Sequence, residues 1–325
     1  MQQLPRIRDL TPESAGTGFY LCVQKDTRSG RSGPYLVVGL QDRTGRIGAK
    51  IFDDVERLRN EFDAGEFVKV KARADRYGGQ LQLVIENIRR VNPAQDRQAG
   101  FSEADCVLSS SRSIDEMWKE LAALVDSVGD RFIRRLLQDV LARYGEKLRV
   151  WPAAQLVHHA WRGGFLEHVL KIAELSLGMA AAYGARRDLL VAGAIVHDLG
   201  KLQELDYDVS ATYSREGRLV GHLTLGVIML REIALAIPDF PPVLLTELEH
   251  LIVSHHGSHD LGSPVEPMTL EAFLLSAADD IDAKVNQIQQ AIDDPGGEGE
   301  FTAYQHRFGR VFWKGARGAD DPGQG

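Results

Sequence analysis

Five separate segments of the sequence place histidine or aspartate at the end or on the face of an apolar helical run. The clearest is AIVHDLGK, in which His197 and Asp198 follow an apolar run and precede Gly200 and Lys201. A neutral imidazole and a carboxylate at one helix end can both reach one metal ion, and a carboxylate can bridge two ions. The same letters also fit an ordinary helix end with a glycine cap and a solvated lysine, so the pair alone leaves both interpretations open.

The remaining four segments favour a metal site. A lone histidine on an apolar face is more often a satisfied core residue, whereas unpaired acids in an apolar helix need a cation or hydrogen-bond donors. Five such positions fit one shared metal cluster better than five unrelated accidents. The four segments hold His168 in GGFLEHVLKIAEL, His222 in GHLTLGVIML, His255 and His256 in LIVSHHG, and Asp279 with Asp280 in LLSAADDIDAKV.

The elements that must position these residues are helices. From Ile114 onward, apolar residues recur with helical spacing, and this part of the chain carries little strand signal. We therefore expect an all-α domain over residues 113–312, followed by a disordered tail at 313–325. The helices of interest are predicted at about 164–183, 187–199, 221–236, 241–254 and 268–291.

The first third of the chain has a different pattern. Between about Gly18 and Val91, five runs rich in β-branched and aromatic residues are separated by turn signals, and DDVERLRNEF between the third and fourth runs is typical of a short helix. Five strands with a helix in that place are the order of an OB-fold, a small all-β barrel that often binds single strands. The sequence therefore predicts a multidomain protein, with the barrel at 1–92 and a linker at 93–112 before the all-α domain.

Charge and cysteine content indicate which binding partners and which cellular compartment to expect. The net charge is −8, but residues through Asn92 carry 16 Lys and Arg against 12 Asp and Glu, so the acidity lies in the rest of the chain. The mildly basic first third can therefore accept a polyanion. No run approaches the roughly 20 apolar residues of a membrane span, and the first residues lack an apolar signal core. Cys22 and Cys106 are far apart with no CxxC motif, so we expect a cytoplasmic protein with no membrane partner.

The order His…His-Asp…His…His-His…Asp resembles the HD-domain phosphohydrolase superfamily. Asp279 is chosen over Asp280 because the superfamily's Asp-x-Leu-Asp-Ala-Lys tail fits with Asp279 first, but Asp280 stays open as a substitute. Whether both His255 and His256 are ligands also stays open. The resemblance implies His168, His197, Asp198 and Asp279 as ligands of one metal ion and, as in two-metal members, His222, His255 and His256 as ligands of a second, with Asp198 as the bridge.

The whole arrangement is similar to the YhaM-type 3′→5′ exoribonuclease family, in which an OB-fold precedes an HD domain. The similarity lies in PYLVVGLQDRTGRIGAKIFD and YGGQLQLVIENIR of the barrel, and in AGAIVHDLGKLQEL, GHLTLG and SHHGSHDLGSPVEPMTLEAFLLSAADDIDAKV of the helical half. It implies hydrolysis of single-stranded RNA, or of single-stranded DNA, from the 3′ end, and it implies a homo-oligomer.

The chemistry expected of such a site uses metal ions. Two divalent ions about 3.5–4 Å apart can clamp a phosphodiester and supply hydroxide at neutral pH. Imidazole and carboxylate ligands suit manganese, our first choice, with Fe, Co, Ni, Zn or Mg as alternatives. We assign catalytic roles to Asp198 and Lys201, since an ammonium beside the metal pair can stabilise charge that develops on the phosphate. The ordinary alternative for Lys201 is a lysine that favours the helix dipole.

Substrate contacts are predicted on both domains. His159 and Arg162 precede the first ligand and could bind phosphate, or they could simply pack. In the barrel, Tyr77 at a hairpin tip beside Arg76 is the best candidate for base stacking, because the other barrel aromatics are more often core. Two rival functions stay open: an HD hydrolase of small or cyclic nucleotides, and a nucleic-acid-binding protein whose helical half is only structural.

Overall fold

The chain folds into two compact units. The structure, a computed structural model, describes residues 3–30, 33–77, 80–110, 112–152, 161–207, 211–293 and 299–315. The first unit ends at residue 111, and the second contains the helices that follow. Among the described residues, no helix is both long and apolar enough to cross a membrane.

The first unit is built on a closed five-stranded barrel. The strands are hydrogen-bonded in the order β1-β2-β3-β5-β4, and β4 closes the barrel against β1. Every pairing is antiparallel except that of β3 with β5. This topology confirms the predicted OB-fold. The elements are β1 (Ala15–Gly30), β2 (Gly33–Asp42), β3 (Gly45–Ile51), α1 (Val55–Leu58), β4 (Phe67–Tyr77) and β5 (Gln80–Arg90).

Alternation of side chains along the strands fills the barrel interior. On β2, Leu36, Val38 and Leu40 are fully buried, while the residues between them are partly exposed. The long strand β1 pairs first with β4 and then with β2, and its register shifts between Cys22 and Gln24. Such a bulge bends a strand and increases its twist, which allows β1 to serve both neighbours and close the barrel.

Residues 93–110 differ from the free linker expected there. They contain two short helices, α2 (Pro93–Asp96) and α3 (Glu103–Cys106), and they belong to the first compact unit. Phe101 and Cys106 are buried against the barrel, and Phe101 packs its ring 5.5 Å from that of Phe19. The segment looks polar in sequence, but Phe101, Cys106 and the ion pairs of the buried Asp96 dock it on the barrel, so the domain boundary lies near residue 111.

The second unit is helical. The long helices lie close to the positions predicted for them, which confirms the all-α assignment apart from two short hairpins among the described residues. One is β6–β7, whose three-residue strands are too short for a periodicity to reveal, and the other lies at residues 299–315. Of the predicted disordered tail, Trp313 pairs with Phe301, and residues 316–325 lie outside the described residues. The elements are α4 (Ile114–Asp126), α5 (Arg131–Val150), α6 (Gly164–Tyr183), α7 (Arg187–Val196), α8 (Lys201–Glu204), β6 (Leu205–Tyr207), β7 (Ala211–Tyr213), α9 (Arg215–Val220), α10 (His222–Leu235), α11 (Pro242–Ser254) and α12 (Leu270–Asp293).

Helix α7 is the centre of the helical unit. All residues from Leu189 to Val196 are buried, which is the pattern of a helix surrounded by protein on every side. Its neighbours are α5, α6, α11 and α12. Because α7 is enclosed in this way, the residues at its C-terminal end emerge inside the unit, where the other helices can reach them.

Candidate metal centre

The end of α7 lies at the middle of a histidine and aspartate cluster. His197 is the C-terminal cap of α7, Asp198 follows it, and both are buried. Five elements contribute, because α6, α10 and α12 carry further ligand candidates and two more follow the end of α11. All seven predicted ligands therefore meet in one place. The groups whose ligand atoms lie within 4.8 Å of one another are His168-His197-Asp279, His197-Asp198-His255 and His222-His255-His256.

Gly200 explains how α10 comes so near to α7. It has right-handed helical dihedrals, so it is not the left-handed glycine cap that the letters HDLG also suggested. A Cβ on Gly200 would lie 1.9 Å from the carbonyl oxygen of His222 and 2.6 Å from the amide nitrogen of Gly226. Only glycine permits this approach of two backbones. The residue thus sets His222 beside the His-Asp pair.

Hydrogen bonds at Nδ1 fix the ring orientation of the first pair of histidines. His168 Nδ1 lies 2.9 Å from a carboxylate oxygen of Asp282. His197 Nδ1 lies 3.1 Å from the carbonyl oxygen of Ala194. Since carboxylates and carbonyls only accept, each Nδ1 carries a hydrogen, and in the neutral form of each ring the lone pair is therefore on Nε2.

The second group of histidines is oriented in the same way. Glu204 Oε1 lies 3.0 Å from His222 Nδ1 and 3.1 Å from the backbone nitrogen of the same residue. His255 Nδ1 lies 2.8 Å from the carbonyl oxygen of Ile252. The Nε2 atoms of both rings are therefore acceptors that point into the cluster, and His256 Nε2 lies 3.3 Å from that of His222.

In the neutral rings, acceptors consequently face acceptors at the centre of the cluster. The Nε2 atoms of His168 and His197 are 3.2 Å apart with no hydrogen available between them in the neutral rings. Asp279 Oδ1 lies 3.4 Å from His168 Nε2, and it adds another lone pair. This set of lone pairs fits a divalent metal ion, because imidazole nitrogen and carboxylate oxygen are ligands of the first-row metals.

Asp198 is the shared carboxylate of the cluster. Its Oδ2 lies 3.4 Å from His197 Nε2 and 3.7 Å from His168 Nε2, while its Oδ1 lies 3.5 Å from His255 Nε2 and 3.7 Å from His222 Nε2. Although buried, Oδ1 makes no hydrogen bond among the described residues, and an unsatisfied buried oxygen is costly. The two oxygens thus face two different groups of histidines.

Lys201 is the positive side chain nearest to the shared carboxylate. Its Nζ lies 2.6 Å from Asp198 Oδ2. Burial opposes the charge on Lys201, but Asp198 outweighs it and the pKa of Lys201 is raised. Burial likewise opposes ionisation of Asp198, but Lys201 and His197 hold its pKa well below the ordinary value. Both groups are therefore charged at neutral pH.

Burial and charge decide the protonation of two histidines in opposite senses. Burial lowers the pKa of His256 to about 4, so this ring is neutral and able to bind a metal at neutral pH. Burial also disfavours a charged His197, but Asp198 outweighs it and raises the pKa of His197. The centre of the cluster thus attracts positive charge, as a cation site must.

The structure separates Asp279 from Asp280. Asp279 lies in the cluster, whereas the Asp280 carboxylate is half exposed and pairs with Lys284 Nζ at 2.6 Å. Asp282 and Glu204 orient histidines, and the sequence reasoning gave neither a role. A signal for Asp282 was available, because it lies three residues after Asp279 and therefore on the same helix face.

The remaining predicted substrate residues of the helical unit lie before α6. His159 is outside the described residues. Arg162 is half-buried, and its Nε is buried without a hydrogen-bond partner among the described residues. The cluster itself is partly open to solvent, since the side chains of His222, Lys201 and Asp279 keep 16%, 15% and 19% of their surface exposed.

The barrel carries a row of exposed and half-buried side chains that we call the barrel strip: Tyr35, Lys50, Phe52 and Tyr77. Tyr77 is 70% exposed, and Lys50 Nζ lies 4.3 Å from the centre of its ring. Phe52 is 51% exposed, and its ring lies 5.7 Å from that of Tyr35 at an interplanar angle of 30°. Arg76 beside Tyr77 is also exposed. Tyr77 therefore lies on the surface as predicted, and the strip extends further than the sequence suggested.

The chain matches two family models, the HD domain over residues 165–284 and the OB-fold nucleic acid binding domain over residues 23–91. It is 35% identical over 282 residues to the 3′-5′ exoribonuclease YhaM of Bacillus licheniformis, which covers 85% of this chain and 87% of that protein. It is 33% identical over 278 residues to the Bacillus subtilis protein of the same name, which covers 84% and 87%.

Among solved structures, the second OB-fold domain of replication protein A from Methanococcus maripaludis aligns with 28% of this chain and 96% of that domain. The sequence identity is 21% and the TM-score is 0.24, a value too low to add to the fold assignment. The curated relatives, in contrast, exceed 30% identity over most of both chains, with an OB-fold and an HD domain in the predicted order. The chain therefore belongs to the YhaM 3′-5′ exoribonuclease family.

Proposed function

We propose that this protein is a metal-dependent 3′→5′ exoribonuclease that hydrolyses single-stranded RNA. The observation that carries the proposal is the convergence of imidazole Nε2 atoms and carboxylate oxygens, all acceptors, around the buried Asp198. A purely structural core has no need of facing lone pairs, since burying unsatisfied polar atoms destabilises the fold. The names of the relatives supply the reaction class and the direction of attack.

Two divalent ions, manganese by preference, are proposed for the cluster. Asp198 is proposed as the bridge, because its two oxygens face the two histidine groups. When bound, the ions would polarise the phosphodiester and supply hydroxide at neutral pH. The two ligand sets would be His168, His197, Asp198 and Asp279 for one ion, and His222, His255, His256 and Asp198 for the other.

Three protein groups have proposed roles besides ligation. Lys201 keeps its ammonium charged at the partly open side of the cluster, where it can stabilise negative charge on the phosphate. Glu204 and Asp282 hold the Nδ1 protons of His222 and His168, so that both Nε2 atoms stay available. Arg162, whose Nε lacks a hydrogen-bond partner among the described residues, is proposed as a phosphate contact.

The barrel strip is proposed to hold the single strand. Exposed aromatic rings stack on bases of any sequence, and lysine or arginine beside them attracts the phosphates. The pairs Tyr35–Phe52 and Lys50–Tyr77 offer both kinds of contact on one surface. RNA affinity should consequently fall as salt rises. Single-stranded DNA would be bound by the same chemistry, because stacking does not require a 2′-hydroxyl.

Self-association is a further part of the proposal. Helix α12 exposes Phe273, Ile281 and Val285 on one side, with Phe273 63% exposed. A row of large apolar side chains at helical spacing favours burial against another chain. The mass measured by light scattering should therefore exceed that of one 36.0 kDa chain, and Phe273→Glu should reduce it.

The deciding experiment is hydrolysis of a 5′-labelled single-stranded RNA with Mn²⁺, with EDTA as the control. A metal-dependent ladder that shortens from the 3′ end supports the proposal. Intact RNA together with cleavage of mononucleotides or cyclic nucleotides would instead assign a small-substrate HD hydrolase. If neither class is cleaved with any of the metals named above, the protein is a binding protein and the proposal is wrong.

A further inference from the structure

The last described segment of the chain forms a small hairpin outside the metal centre. Residues 299–315, which we call the C-terminal hairpin, pair Phe301 with Trp313 and Gln305 with Arg310. The backbone nitrogen of Thr302 donates to the carbonyl oxygen of Phe312 at 2.9 Å, and that of Lys314 donates to Glu300 at 2.7 Å. The segment is therefore an ordered element, although the sequence marked part of it as tail.

The composition of the hairpin departs sharply from that of the chain. Aromatic residues make up 7% of the sequence, whereas the 17 residues of the hairpin contain five. It carries three Lys or Arg against one acid, although residues after Asn92 as a whole are strongly acidic. The aromatic residues are Phe301, Tyr304, Phe308, Phe312 and Trp313, and the basic ones are Arg307, Arg310 and Lys314.

The exposed side chains of the hairpin are those that could receive a ligand. Phe301, Tyr304 and Trp313 are 47%, 54% and 59% exposed. Phe301 and Trp313 are cross-strand partners, so their rings share one face. Arg307 and Arg310 are exposed, and neither forms an ion pair within the part of the chain that the structure describes. Guanidinium groups that form no ion pair, placed beside exposed rings, are the combination that binds phosphates and bases together.

We propose that the C-terminal hairpin is a second contact for single-stranded RNA, located in the helical unit and additional to the barrel strip. The inference rests on the proposed function for the identity of its ligand. Bases stack on the Phe301 and Trp313 face, and Arg307 and Arg310 bind phosphates. This contact offsets the repulsion that an acidic catalytic unit exerts on a polyanion.

Exposed aromatic rings could also bind a second copy of the chain. The composition of the hairpin favours RNA over that partner. Stable protein interfaces resemble a domain core cut in half, and the cores of this chain are rich in Leu, Ile and Val. The hairpin has Val311 as its one large aliphatic residue. Its surplus of positive charge matches phosphates directly.

The test is fluorescence anisotropy of a labelled 20-nucleotide single-stranded RNA with the full chain in EDTA, over a series of salt concentrations. For Arg307→Ala/Arg310→Ala, the slope of log affinity against log salt should become shallower by about 1.4, since each phosphate contact on a single strand contributes roughly 0.7. Trp313→Ala should weaken binding about 5- to 150-fold, and Trp313→Phe should retain most of it.

A matched control removes two exposed cations elsewhere in the helical unit, as Lys119→Ala/Arg131→Ala, and should change the slope little. Ultraviolet cross-links from the wild-type complex should map to residues 301–313.

Unchanged affinity and slope in the hairpin variants, or an equal change in the control, would overturn the inference. So would a loss of self-association with unchanged RNA binding, which would make the hairpin a contact between copies. RNA cleavage by the wild type is scored separately, so failure of the proposed function is distinguishable from failure of this one.

Discussion

Each unit of the protein buries an aspartate, and the two acids are treated in opposite ways. In the barrel unit, Asp96 is 2% exposed, yet it receives hydrogen bonds from Arg89, Lys69 and the backbone nitrogen of Asn92. In the helical unit, Asp198 is equally buried, but one of its oxygens has no hydrogen bond among the described residues, and four imidazole Nε2 atoms lie within 3.7 Å of its carboxylate oxygens. The carboxylate of Asp96 has all its partners within the protein, so it stabilises the fold. The carboxylate of Asp198 needs a metal ion to complete its partners, so it marks a metal site.

The largest expected effect tests Asp198 by activity. Asp198→Asn should reduce the rate of 3′ shortening of labelled RNA with Mn²⁺ by about 10³-fold or more, because the charge that holds the metal is lost. The control Asp280→Asn, on α12 next to the ligand candidate Asp279 but paired outward with Lys284, should act within a factor of about two of the wild type. If Asp198→Asn cleaves RNA at a rate within tenfold of the wild type, the contrast between Asp198 and the structural Asp96 is lost.

The next prediction tests the metal site by metal affinity, without measuring activity. Glu204→Gln should weaken Mn²⁺ binding about 10- to 100-fold in titration calorimetry, since the carboxylate that orients His222 becomes an amide. Glu249→Gln is a matched control, because Glu249 is about as enclosed (13% against 12% exposed) but pairs with Arg231 away from the cluster. Equal metal affinity in the two variants would show that Glu204 does not position a ligand.

A third prediction concerns the aspartate of the barrel unit. Asp96→Asn should lower the free energy of unfolding at pH 7 by about 1–3 kcal/mol, because two cations lose their buried partner. Hydrogen bonds from Arg89 hold the pKa of Asp96 well below its ordinary value. The stabilisation is thus complete above about pH 4 and is lost as pH falls, so the gap between wild type and variant should narrow in acid. Urea unfolding at several pH values measures this difference in the free energy of unfolding. A difference that grows in acid would contradict the stabilising role of ionised Asp96.

The smallest expected effect concerns the barrel strip. Tyr77→Ala should weaken binding of single-stranded RNA about 5-fold, the low end for loss of one stacked base, and should leave cleavage of a mononucleotide substrate unchanged. Tyr183→Ala, at an equally exposed tyrosine of α6, serves as the control. If both variants bind RNA as the wild type does, Tyr77 is not a base platform.

Much of the fold followed from local patterns. The five strands, the helix between the third and fourth of them, and the long helices of the second unit lie where alternation and helical spacing predicted them. The predicted linker was different, because Phe101 and Cys106 look unremarkable in a polar segment and only their contact with the barrel reveals them as anchors. The β6–β7 hairpin was missed since three-residue strands give no period.

The candidate site divides in the same manner. Residue types and their helical context singled out all seven ligand candidates, because buried histidines and acids are conspicuous in apolar helices. Residue type and helical context could not separate Asp279 from Asp280, since the two aspartates are adjacent in the same apolar helix. Only the resemblance to the superfamily motif favoured Asp279, and it left Asp280 open. Only the packing of α12 against α6 turned one toward His168 and left the other beside Lys284.

The sequence by itself determined that this chain has an OB-fold followed by an HD domain, and it named the residues that could bind metal. The tertiary structure alone decided which nitrogen of each histidine faces the centre, through acceptors such as Asp282 and Glu204 that lie far along the chain. It also showed why Gly200 must be glycine, because the close approach of two backbones is a property of packing. Spacing fixes which residues can share a helix face, whereas distances between elements exist only once the helices have packed.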